Sequence, residues 1–86
     1  MRSEQSLNLT NGEKESIIVW LEPWGEDYQL NPSDHLIIGI TSNISGVPEL
    51  VYRTSALTVY VWSQCRCRVF LNGNEVTRSS NEVETP

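Results

Sequence analysis

Basic residues are missing between Glu15 and Tyr52, a stretch that carries the acids Glu15, Glu22, Glu26, Asp27, Asp34 and Glu49. With a net charge of -5 over 86 residues, this argues against a general affinity for nucleic acid or anionic membrane, because either needs Lys and Arg clustered toward the partner. No apolar run approaches the about 20 residues required to span a bilayer. The opening Met-Arg-Ser-Glu-Gln-Ser also lacks the hydrophobic stretch of a signal peptide, which places the chain in the cytoplasm. Histidine is present once and cysteine twice, short of the four ligands a structural metal site wants. No segment repeats its apolar residues at helical spacing, so helix is excluded as the main element.

What the chain does have is a series of β-branched and aromatic runs cut by turn residues. Leu7 and Leu9 mark a short first strand, and Asn11-Gly12 a tight turn, since both residues tolerate positive φ. Ile17 to Leu21 and Leu36 to Ile40 are apolar at nearly every position, which predicts central strands covered on both faces. Glu49 to Arg53 is a further strand. From Leu57 the alternation is regular: Leu57, Val59 and Val61 point one way, Thr58, Tyr60 and Trp62 the other. After Ser63-Gln64 it resumes, with Cys65, Cys67, Val69 and Leu71 inward and Arg66, Arg68 and Phe70 outward. These patterns predict an all-β fold, a small antiparallel β-sandwich or partly open barrel of about six short strands. Residues 6–78 form the single β domain, flanked by disordered tails at residues 1–5 and 79–86, whose polar composition cannot repay the entropy of ordering.

The segment Trp-Leu-Glu-Pro-Trp-Gly-Glu-Asp-Tyr-Gln-Leu from Trp20 to Leu30, followed by Asn-Pro and an apolar strand, resembles a signature of small uncharacterised bacterial β proteins. Leu57 to Trp62 and Arg68 to Gly73 are similar to the second half of such proteins, so the likeness covers most of residues 6–76. The resemblance implies no activity, ligand or active site.

Several constellations could carry function. Tyr60, Trp62, Arg66, Arg68 and Phe70 place aromatics and arginines on one outward stripe, the residue types enriched in binding hot spots. They are the candidate contact surface for a protein partner or a second copy of the chain. The alternative is a small-ligand site, for a carbohydrate-like or cationic molecule, at the Trp20–Tyr28 turn, built from Glu22, Trp24, Glu26 and Tyr28. Cys65 and Cys67 could offer two thiolates to a metal, a third reading set against their simpler role as small core hydrophobes. His35 beside Asp34 has no nucleophile placed near it, and is read as a strand-start residue. Neither a cofactor nor a catalytic residue is expected, and the chain is read as a non-enzymatic interaction module.

Charge is also divided along the chain, because residues 53–74 reverse the first half, with Arg53, Arg66 and Arg68 and no acids. Either the two halves offset each other as neighbouring strands, or they complement each other between copies of the chain.

Overall fold

A computed structural model describes residues 3–78 and 83–86. Among these residues eight strands follow one another: β1 (Ser3–Thr10), β2 (Ile17–Glu22), β3 (Glu26–Leu30), β4 (His35–Ser42), β5 (Glu49–Arg53), β6 (Ala56–Tyr60), β7 (Cys65–Leu71) and β8 (Asn74–Glu75). They form two four-stranded sheets, sheet A in the order β1-β4-β7-β8 and sheet B in the order β3-β2-β6-β5. The fold is all-β with two sheets and no barrel closure. The count exceeds six because β8 is only two residues long and β3 is a distinct strand of its own.

The core lies between the sheets and follows the two-residue period of each strand. Val19 and Leu21 of β2, Tyr28 and Leu30 of β3 and Val59 of β6 face Leu36, Ile38 and Ile40 of β4 and Cys65, Cys67 and Val69 of β7 in one buried cluster. The inward placement of both cysteines follows directly from their alternation with Val69.

Pairing is antiparallel throughout except between β2 and β6, which run parallel with Val19 opposite Leu57 and Leu21 opposite Val59. This one parallel pair arises because the chain returns to sheet B after β4, alongside β2, with the β5–β6 hairpin. Asn11-Gly12 likewise does not close a hairpin: β1 and β2 belong to different sheets. Asn11 is instead buried and knots two loops together. Its side-chain amide donates to the carbonyls of Leu30 and Glu15, both at 2.9 Å, while its Oδ1 accepts from the Glu13 amide at 2.9 Å. Its backbone exchanges hydrogen bonds with Asp34 and Ser33.

Both expected tails need correction where they are described. Ser3 to Gln5 belong to β1, paired with Ser42, Thr41 and Ile40 of β4, since ladder hydrogen bonds need no apolar side chains. Val83 to Pro86 fold back on the sandwich. Thr85 is buried, its amide donates to the Cys65 carbonyl at 3.0 Å, and its carbonyl accepts from Gln64 at 3.0 Å. The Thr85 hydroxyl joins the Cys65 amide at 2.9 Å to the Trp62 carbonyl at 2.5 Å. A polar threonine gives no hydrophobic signal for such a contact. Residues 1–2 and 79–82, the remainder of the expected tails, lie outside the described residues. No helix among the described residues is long and apolar enough to cross a membrane.

Candidate interaction surface

The stripe Tyr60, Trp62, Arg66, Arg68 and Phe70 does not form one face. Tyr60 lies in sheet B and Arg66, Arg68 and Phe70 in sheet A, because the chain changes sheets at Ser63-Gln64, where Gln64 takes a positive φ of 62°. Trp62, at the crossing, is half-buried against the core. Its indole nitrogen donates to the Ser42 hydroxyl at 3.1 Å and the Ile44 carbonyl at 2.9 Å, and its ring lies where a Cβ on Gly46 would sit. Trp62 therefore pins the loop of residues 43–48 that leads into β5.

On sheet A the arginines are already engaged. Arg68 makes a two-point contact with the Glu75 carboxylate, from Nε at 3.1 Å and Nη2 at 2.7 Å, and its guanidinium lies 5.3 Å from the Phe70 ring centre. Hydrogen bonds from Arg68 and from Thr77 hold the Glu75 carboxyl down to about 2. Arg66 pairs with Glu84 at 3.7 Å. The ion pairs of Arg66 and Arg68 thus join them to acids further along the chain, not to the acidic first half. An open depression on this face, bordered by Thr41, Asn43, Gln64, Arg66, Arg68 and Glu84, is lined by these same paired charges.

The alternative ligand set also divides. Glu22 sits opposite Tyr60 on the outward face of sheet B, while Glu26 and Tyr28 point inward and are buried. The Tyr28 hydroxyl donates to Glu26 Oε1 at 3.2 Å, and the Arg78 guanidinium lies 4.5 Å from the Tyr28 ring centre. Burial first, and then the Glu26 charge, push the Tyr28 phenol well above its ordinary value. Trp24 turns back over the core, its indole nitrogen donating to the Val83 carbonyl at 3.1 Å. With Glu22 outward and Glu26 and Tyr28 inward, these four side chains do not converge on one site.

Cys65 and Cys67 are free thiols, both buried. Burial, followed by Cys65 and Glu26 as neighbours, pushes the Cys67 thiol up to about 12, and burial raises Cys65 as well. Among the described residues no group of three or more His, Cys, Asp or Glu is placed to hold a metal ion. His35 exchanges a hydrogen bond with the Thr10 hydroxyl at 2.8 Å. Neighbouring Asp34 instead accepts from the Asn72 amide at 3.0 Å and the Asn31 backbone at 2.8 Å, contacts that lower its pKa.

What sequence reasoning missed is the surface of sheet B. Its outward face carries Ile18, Trp20 and Tyr60, all exposed, with Val51, Ala56 and Thr58 in register between them. Along β5 the other face is uncovered too: Leu50 and Tyr52 sit opposite Val59 and Leu57 on the core side, yet are 48% and 61% exposed. Strand β5 overhangs the core. Ile44 and Val47, in the loop before it, are exposed as well. Apolar residues on both faces of β2 read as two-sided cover, but one of those faces is solvent-exposed surface. Comparison of the chain with protein-family models, with curated proteins and with solved structures found no match.

Proposed function

We propose that this chain is a non-enzymatic protein-interaction module of the cytoplasm, and that its contact surface is the β5 side of sheet B. The supporting observation is the uneven distribution of exposed large apolar side chains. Ile18, Trp20, Ile44, Val47, Leu50, Tyr52 and Tyr60 belong to sheet B or to the loop entering β5, and Val83 is the one other among the described residues. Exposed apolar surface of this kind, present here on both faces of the sheet near β5, marks protein contacts, since water contact at each of these groups is relieved by burial against a partner. Tyr60 of the original stripe belongs to this surface; Arg66, Arg68 and Phe70, on the other sheet, do not. Nucleic acid and membrane are not the partners in this reading, in keeping with the acidic net charge.

The reading is tested with a photo-reactive amino acid placed at Tyr60 or, as a control, at the exposed outward position Asn8 of sheet A. In native extract, adducts are expected from position 60, competed away by excess unlabelled chain. Equal labelling from both positions would overturn the assignment of the surface.

A further inference from the structure

We propose that β5 pairs antiparallel with β5 of a second copy of this chain, about a two-fold axis through Val51, so that two copies of sheet B become one continuous sheet. This rests on the preceding reading of the β5 side as a protein contact surface, and it names the partner.

Strand β5 is an edge of sheet B, and one side of its backbone has no neighbouring strand. Among the described residues, no hydrogen bond outside the ladder with β6 reaches residues 49–53. Unsatisfied edge groups of this kind template pairing with another strand. The other edges are blocked or less apolar. The β3 edge is capped where Arg78 Nη2 donates to the Asp27 carbonyl at 2.6 Å. Edge strand β8 has only two residues, and the stretch of β7 beyond it is bonded through Cys65 and Val69 to Thr85 and Thr77. Strand β1 presents the polar Glu4, Ser6, Asn8 and Thr10 outward.

The sequence of β5, Glu-Leu-Val-Tyr-Arg, is self-complementary when read antiparallel. With Val51 opposite Val51 of the second copy, Glu49 falls opposite Arg53 and Arg53 opposite Glu49, both on the outward face. Leu50 and Tyr52 of the two copies then face each other on the overhanging side. Neither Glu49 nor Arg53 makes a side-chain hydrogen bond or ion pair with the described residues. Parallel pairing in the same register would set Glu49 beside Glu49 and Arg53 beside Arg53, where like charges repel. Two-fold symmetry also doubles each contact, as isologous interfaces do. The division of charge seen in the sequence, acids up to Glu49 and bases from Arg53 onward, changes sign within this one strand.

Sedimentation of the full chain from low micromolar to near-millimolar concentration tests the pairing. The parent is expected to dimerise. Glu49→Lys alone sets Lys against Arg twice, Arg53→Glu alone sets Glu against Glu twice, and each should weaken dimerisation by about ten-fold or more. An equimolar mixture of the two variants restores opposite charges at both positions and should recover the association. The deficit of each single variant should also shrink as salt is raised. Should either variant fail to fold, amide exchange in the parent provides a second measure: protection of β5 should rise with concentration while that of β1 stays constant. A parent that is monomeric at every concentration overturns the proposal, as does a dimer indifferent to both charge changes or a mixture that recovers nothing. Those outcomes leave the cross-linking map of Tyr60 untouched, so failure of the self-pairing is separable from failure of the contact surface.

Discussion

The side-chain amide of Asn11 donates to the backbone carbonyl of Leu30 at 2.9 Å, inside the sandwich, and so ties the exit of β1 to the end of β3 in the opposite sheet. Two further partners depend on that side chain, the Glu15 carbonyl and the Glu13 amide, whereas the bonds to Asp34 and Ser33 are main-chain and survive substitution. Asn11→Ala leaves the Leu30 carbonyl buried without that donor. Asn11→Asp keeps the shape but turns a carboxylate toward two carbonyls. We expect losses of about 2–4 kcal/mol in urea unfolding, with Asp the worse at neutral pH.

Gly46 is held by space, not by backbone conformation, because the Trp62 indole occupies the place of its missing Cβ. Gly46→Ala should displace the ring, break its hydrogen bonds to Ser42 and Ile44, and release the loop before β5. A red shift in tryptophan emission and a loss of about 1–3 kcal/mol are expected. An unchanged emission maximum would show that the loop, not the ring, gives way.

The hydroxyl of Thr85 bridges Trp62 and Cys65 across the point where the chain passes from sheet B to sheet A. Thr85→Val preserves size and removes both bonds, so it should cost about 1–3 kcal/mol in chemical unfolding. Ending the chain before Val83 should cost more, since it also removes the acceptor for Trp24 and the backbone bonds to Gln64 and Cys65. Stability unaffected by that truncation would mean these contacts contribute nothing.

Burial in the folded chain pushes the Cys67 thiol from its ordinary 9.0 up to about 12. Below pH about 9 both states keep the proton and stability is untouched. Between about 9 and 12 only the unfolded chain loses it, so stability falls with rising pH by up to roughly a kcal/mol per pH unit. Cys67→Val should flatten that slope, measured as urea midpoints across the alkaline range. Thiol titration should find both cysteines slow in the native state and rapid after unfolding.

Much of the interior was legible from residue period alone. The alternation through Cys65, Cys67 and Val69 assigned three buried positions, and Val19, Leu21, Ile38 and Ile40 were placed in central strands, where they lie. The surface was not legible in the same way. Periodicity reports which side of a strand a residue takes, not which sheet the strand joins, and so Tyr60 and Arg66 read as neighbours although Gln64 sends them to opposite sheets. Ile18 and Trp20 read as covered because hydrophobicity does not distinguish a core face from an exposed one. Thr85 and Asn11 are buried for their hydrogen bonds, a reason that leaves no apolar trace in the sequence.

The parallel pairing of β2 with β6 sets an order of assembly. The β2–β3 and β5–β6 hairpins pair residues near in sequence, whereas Ile18 must find Ala56 across a long chain segment that includes β3, β4 and β5. Closing a loop of that length costs entropy before the contact returns anything, so we expect sheet B to be completed late, by the docking of two preformed ribbons. Until that docking, β6 is itself an open edge, so the pairing proposed for β5 in finished molecules has a counterpart that can join two unfinished ones. Refolding at high concentration therefore runs a competition between β2 of the same chain and strands of its neighbours, and dilution favours the native sheet.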